Sequence, residues 1–273
     1  MKTRSMNVIN YLLIAFIGLI YLIPFYILTN LALKKPIDTS SKWAPPRYFQ
    51  LDNFSEAWIN ASLGKALLNT FFITVVSILL IVLMGSIASY PLSRNKSKIN
   101  NFVFTIFIAC MVVPSLTCLV PLYKFVVDIK GMNSYWCIIL LHLVFQLPMT
   151  IFLYTGFINS ITKELDEAAL IDGCNVFKTF FLVIFPLLKS VTATVIIMTG
   201  VSVWNDYNLS LFFLQDSSVQ TLTIRLSSFF SQYNNYIERC AAGCIMGMLP
   251  MAVVYLFLQN YFIKGLSAGA VKA

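Results

Sequence analysis

Charged side chains are scarce here. Asp, Glu, Lys and Arg make up 11% of the 273 residues, where a soluble domain carries roughly 25%. Hydrophobic residues reach 59%. Too few charges remain to clothe a surface in water, so most of the exterior faces lipid and the length suits one polytopic membrane domain, residues 1–273. Histidine is almost absent: His142 stands alone. A zinc site of the H-E-x-x-H kind is therefore excluded. No G-x-x-x-x-G-K-[ST] string exists, so the chain cannot hydrolyse ATP by the P-loop route. The net charge of +8 comes from Lys and Arg in short connections and at span ends, where they meet headgroups. No basic run with interleaved aromatics marks a nucleic-acid partner. Of the six cysteines, all but Cys174 lie in the apolar stretches or at their edge. Cys240 and Cys244 share a helix face, but no histidine or carboxylate completes a metal site.

What is abundant is apolar length. About 20 apolar residues cross the hydrocarbon core as a helix, and six stretches qualify: residues 11–33, 67–92, 102–127, 135–157, 187–214 and 241–263. The expected fold is all-α, a bundle of six transmembrane helices. The first stretch is too long for a signal peptide and no small-residue cleavage site follows, so it is expected to stay. With the N-terminus inside, ten of the nineteen Lys and Arg residues fall on the inner side. That balance alone leaves orientation open.

Ionisable groups away from the inner ends of the spans are few: His142, Lys124 and Asp206. Proton-coupled transport needs a relay of such groups, and no chain of carboxylates links these three. A serine-type intramembrane enzyme would need a base beside its nucleophile, and His142 reads more simply as a packing residue. An energy source on another polypeptide fits better than an independent secondary transporter. Pro24, Pro114, Pro121, Pro148 and Pro250 fall in apolar stretches, where each removes a backbone donor and bends the helix. Such bends either open a pathway or are the ordinary tolerance of membrane helices for proline.

One amphipathic segment, residues 159–190, interrupts the pattern. Thr162 is placed to cap a helix whose first turn carries Glu164, Asp166 and Glu167, acids favoured at the positive end of the dipole. Leu165, Ala168, Ala169 and Asp172 fall on one face. Two alanines keep that face narrow enough to enter a groove. Gly173 suits the left-handed position that ends a helix. An apolar second helix follows, and Pro186 marks the turn into the next span. Helices that lie on lipid favour Lys and Arg on their polar side. This one is acidic, so a protein socket is the better match.

These residues resemble a known family. "EAALIDGCNVFKTFFLVIFP" is similar to the EAA loop of ABC importer permeases: Glu167, Ala168, Ala169, Gly173 and Pro186 stand at the family spacing. Val183 and Phe185 replace the usual isoleucine and leucine. "VVPSLTCLVPLYKF", "LPMTIFLYTGF", "WNDYNLSL" and the ending "KGLSAGAVKA" resemble the six-span, maltose-type carbohydrate branch. The resemblance implies a plasma-membrane permease of a prokaryote with both termini cytoplasmic, acting with a second permease subunit. Two ATPase subunits would hold ATP and magnesium, this chain binding no cofactor, and an extracytoplasmic binding protein would deliver solute. The segment would be a cytoplasmic coupling loop in which Leu165, Glu167, Ala168, Ala169, Asp172 and Gly173 engage an ATPase. Residues 265–273 would form a cytoplasmic tail. Trp204, Asn205, Asp206 and Tyr207 offer aromatic and polar groups of the kind sugars favour, with a packing element as the alternative. Oligosaccharide is the expected solute; a sugar phosphate or polyol is the alternative.

Overall fold

A computed structural model describes the backbone of residues 8–230 and 236–270. Lys2, Arg4, part of the 215–239 connection and Val271–Ala273 of the expected tail lie outside the described residues. Every element of regular structure described is helical. In chain order these are α1 (Val8–Ala32), α2 (Asp52–Asn60), α3 (Leu63–Arg94), α4 (Lys98–Cys110), α5 (Leu119–Asp128), α6 (Tyr135–Ser160) and α7 (Glu164–Ile171). Then follow α8 (Val176–Lys178), α9 (Phe185–Leu187), α10 (Lys189–Trp204), α11 (Asn208–Phe213), α12 (Leu222–Ser227) and α13 (Ile237–Ala270). Among the described residues, four helices are long and apolar enough to cross a membrane: Ile9–Ala32, Leu63–Arg94, Tyr135–Ser160 and Ile237–Tyr261. The pair Val176–Leu187 and Lys189–Trp204, bent by 76°, counts as a fifth if taken as one broken span.

Two of the six expected spans are therefore not single helices. The third breaks between Cys110 and Leu119, with a 3-10 turn over Ser115–Cys118. Pro114 explains the break: it holds φ at −64° with ψ at 127°, and its ring disfavours helical geometry in the residue before it. Pro121 sits in the first turn of α5, where a missing N–H leaves no intrahelical bond unmade. The fifth stretch begins at an elbow and its main helix ends at Trp204, well short of Leu214. Pro24, Pro148 and Pro250 do lie inside helices.

The chain divides into two compact units, residues 1–64 with 225–249, and residues 65–224 with 250–273. In the first, Asn53 caps the end of α1, its amide donating to the Ala32 and Lys34 carbonyls at 2.8 and 2.7 Å. Lys34 is buried and donates to Ser40 Oγ and the Ser41 carbonyl. Glu56 pairs with Arg239.

The second unit is organised around α6. Ile73, Val126, Ile138, Leu141, Val203 and Phe213 form one apolar cluster. Ile81, Leu143, Tyr154, Ile158, Ile184 and Val195 form another. Small residues let α3 approach α6. Ser77, Ser86, Ser89 and Ser93 are buried, and Ser89 Oγ donates to the Ile151 carbonyl at 3.2 Å. With no hydrophobic drive between helices in lipid, such close contact is what holds them. At one end of α3, Asn69 donates to the Ser218 and Gln220 carbonyls and accepts from Tyr135. Nearby, the Asn133 N–H donates to the Phe213 carbonyl. The far end of α3 carries the site.

Candidate functional site

Helix α7 is short, and its ends are defined by backbone chemistry. Lys163, not Thr162, occupies the N-cap position, and no side chain caps the helix. Thr162 instead hydrogen-bonds the Glu164 carboxylate. Together with a bond from its own backbone N–H, the stronger cause, this holds the Glu164 carboxyl below its ordinary value. At the other end the Cys174 N–H donates to the Ala169 carbonyl (2.9 Å) and the Gly173 N–H to the Leu170 carbonyl (3.1 Å). With Gly173 at φ +85°, this is a Schellman closure. Asn175 then caps the next turn, accepting from the Lys178 N–H at 2.9 Å.

The second surface helix is not regular. Thr179–Ile184 widens into a π-helix between α8 and α9. Pro186 supplies a reason: in an α-helix its ring would press on the Leu182 carbonyl, and a wider turn moves that carbonyl aside. Phe180 anchors the segment, with ring centroids 5.3 Å from Tyr90 and 5.8 Å from Phe185.

An ion pair pins α7 to the membrane helices. Arg94 Nη2, at the end of α3, lies 2.7 Å from Asp166 Oδ2. Tyr90 donates to the other carboxylate oxygen at 2.5 Å. The same guanidinium donates from Nη1 to the Ile158 and Ile161 carbonyls, at 3.1 and 2.9 Å. It thereby supplies a donor to the Ile161 carbonyl, just past the end of α6, and a second donor to the Ile158 carbonyl, which also accepts from the Ile161 N–H. One side chain ties together the ends of α3 and α6 and the start of α7.

This attachment splits the face read from the sequence. Ala169 is buried (5% exposed) on the inner side with Asp166, whereas Leu165, Glu167, Ala168 and Asp172 are exposed. The expectation of both alanines on one outward face is corrected, because the ion pair rotates the 166/169 side inward. Ile171, which the sequence reading passed over, is 86% exposed, and Phe177 is 72% exposed. Beside α7 lies a cavity of about 650 Å³, lined by Tyr90, Arg94, Lys163, Leu170, Phe177 and Phe181 among others. Arg94 and Tyr90 were also missed. Their only trace in the sequence is a polar end to a long apolar helix.

A second cavity, about 320 Å³, opens where α10 gives way to α11. Asn205, Asp206 and Tyr207 line it with His142, Gln146 and Ser202. Trp204 does not; it is buried in the packing. Asp206 caps α11, accepting from the Leu209 N–H, the Ser210 N–H and the Ser210 hydroxyl. Among the described residues no group of three or more His, Cys, Asp or Glu could hold a metal. The string Gly265–Gly269 spells G-x-S-x-G, but it is helical within α13, whereas a nucleophile elbow needs a strand-to-helix turn.

Helical elements throughout the described residues, a surface helix locked to two span ends and a polar cavity at a helix break are the features of a polytopic membrane protein. Residues 81–268 match the family described as "Binding-protein-dependent transport system inner membrane component", and the chain belongs to that family. It is thus a multi-pass protein of the bacterial inner membrane and one component of a binding-protein-dependent ABC transporter complex, of the carbohydrate-import type. It is 49% identical to the melibiose/raffinose/stachyose import permease protein MelC of Bacillus subtilis (strain 168), over 99% of this chain and 98% of that one. It is 34% identical to the multiple sugar-binding transport system permease protein MsmG of Streptococcus mutans, over 96% of each chain. A crystal structure of a bacterial ABC transporter involved in the import of the acidic polysaccharide alginate superposes with a TM-score of 0.80. It covers 93% of this chain and 95% of that chain at 19% identity, which speaks to fold alone.

Proposed function

We propose that this chain is one of two permease subunits of an importer for small neutral oligosaccharides, the class that melibiose, raffinose and stachyose represent. Two ATPase subunits, carrying ATP and magnesium, dock on its cytoplasmic side, and an extracytoplasmic binding protein delivers the sugar. The carrying observation is α7: an acidic, exposed helix fixed to α3 and α6 through Asp166 and Arg94. Force applied to such a helix moves the spans as a rigid body instead of bending a loop. Glu167, Ala168, Asp172 and Leu165 meet the ATPase, Ala169 supports them from beneath, and Gly173 permits the closing turn. Asn205, Asp206 and Tyr207 lie on the sugar pathway, with Trp204 packing behind them.

Where the helix ends are tied supports a reading of six crossings. Asn100 at the start of α4 donates to the Pro91 and Asn95 carbonyls, near the Arg94 end of α3. The chain beyond α5 is tied through Asn133 to Phe213 and Asp216, near the opposite end. In this reading the broken pair α4 and α5 is one crossing, counted beside α1, α3, α6, α10 with α11, and α13. Both termini are then cytoplasmic, with residues 265–270 continuing α13 as the base of the tail.

The test is the assembled complex in proteoliposomes, assayed for sugar-stimulated ATPase and uptake over a sugar panel. Glu167→Lys is expected to abolish uptake while the chain still inserts and folds. Undiminished uptake in that variant overturns the docking role; stimulation by no oligosaccharide overturns the substrate class.

A further inference from the structure

Polar side chains are expensive at membrane depth, and those present there mark pathways. Two helix lengths place the cavity at the α10–α11 break within the spans. Gln146 lies about 21 Å along α6 from Ser160, and Asn205 about 24 Å from Lys189, at roughly 1.5 Å per residue. Set against a hydrocarbon core of about 30 Å, these lengths put the cavity in the half of the core farther from the Arg94 end of α3.

The hydrogen-bonding inventory of this cavity is incomplete. Asp206 uses about three of its four acceptor sites on the start of α11. Gln146 Nε2 donates one hydrogen to Ser202 Oγ at 2.6 Å. A second amide hydrogen, the amide oxygen and the serine hydroxyl hydrogen remain. His142 is 4% exposed, and its Nε2 stands 3.9 Å from Asp206 Oδ2. That gap is too wide for a direct bond. One oxygen atom at about 2.8 Å from each would bridge it. Tyr207 and Phe145 add aromatic surface to the same walls.

We propose that this cavity is a hydroxyl-reading subsite for one sugar ring, with Gln146, Ser202 and His142 as its specificity-determining contacts and Asp206 fixing the start of α11 beside them. The inference rests on the oligosaccharide reading above. Alternating donors and acceptors on Gln146 and Ser202 match adjacent ring hydroxyls, each of which both gives and accepts a hydrogen bond. The bridging position between His142 and Asp206 takes a third hydroxyl. An aromatic wall suits the C–H face of a pyranose. At about 320 Å³ the cavity has room for a ring, and it reads the part of the substrate that passes α6.

The experiment compares initial uptake of melibiose and raffinose by the assembled transporter, with sugar and binding protein both saturating so that capture does not limit the rate. Gln146→Ala and His142→Phe are expected to lower uptake and to shift the raffinose-to-melibiose rate ratio about fivefold, the factor that losing one hydrogen bond gives. Gln146→Asn and His142→Gln should restore part of it. A purely structural role would slow both sugars alike and leave the ratio unmoved. If His142→Phe fails to assemble, Gln146→Ala and Ser202→Ala carry the test. Variants that assemble and keep the wild-type ratio overturn the subsite, and a site filled only by water gives that result. A wild-type complex that imports neither sugar overturns the parent reading instead.

Discussion

Arg94 and Asp166 form an ion pair of 2.7 Å that joins the last turn of a membrane helix to the first turn of a surface helix. Each side chain is 13% exposed, so the pair is only slightly screened by water. Its second role, donating to the ends of α6, makes the arginine hard to replace. Lysine carries the charge without the planar fork that reaches both the Asp166 carboxylate and the Ile158 and Ile161 carbonyls.

Removing the arginine leaves a nearly buried carboxylate without its cation, a loss of about 3 kcal/mol. Arg94→Ala is therefore expected to release α7 while the spans stay folded. Hydrogen exchange should quicken over residues 164–174 and remain slow in α6. Arg94→Lys should fall between the two, and equal protection of α7 in all three proteins would refute the clamp.

Gly173 tests backbone conformation separately from space. A Cβ placed there meets nothing within 4 Å, yet φ is +85°. A side chain fits, but a left-handed residue costs roughly 1–2 kcal/mol. Gly173→Asn should keep near wild-type transport, because asparagine tolerates this region, whereas Gly173→Val should lose most of it. Parallel loss in both variants would point to a steric requirement instead.

Gly85 sits where α3 meets α6, and a Cβ there would clash with Thr150 Cγ2. Alanine gains about 1 kcal/mol of helix propensity, but overpacking costs about 1–3 kcal/mol. The clash should win, so Gly85→Ala should lower the thermal midpoint in detergent. Adding Thr150→Ser removes the offending methyl and should recover the loss. A double variant no more stable than Gly85→Ala would argue against this contact.

Glu164 gives α7 a pH dependence. Its folded-state pKa is depressed by hydrogen bonds from its own N–H and from Thr162. Its contribution is therefore complete above the ordinary carboxylate range and is lost as pH falls through the lowered value. Amide protection in the first turn of α7 should decline on acidification across that window, and Glu164→Gln should flatten the curve. An identical curve in the glutamine variant would assign the effect to another group.

Much of the loop was legible because its signals are local. Acids in the first turn, a glycine at the C′ position and a proline after the second helix act within a few residues. The outward or inward facing of each residue was not legible. Ala168 and Ala169 have the same side chain, and only the partner of Asp166 decides which of them is buried. The third and fifth spans were misread for a related reason: apolar length says that a segment suits lipid, not that it is one helix. Pro114 could have signalled its break and Pro186 an irregular turn before it, but neither says whether the chain will break or widen into the π-turn at Thr179–Ile184.

By itself the sequence determined that this protein lives in a membrane and carries an acidic helix outside it. Hydropathy and capping preferences depend on composition and near neighbours alone. Tertiary structure decided which face of that helix is free and which polar groups share a cavity. Those outcomes rest on Arg94 reaching Asp166, and on Gln146 and His142 meeting the end of α10, contacts between residues far apart in the chain.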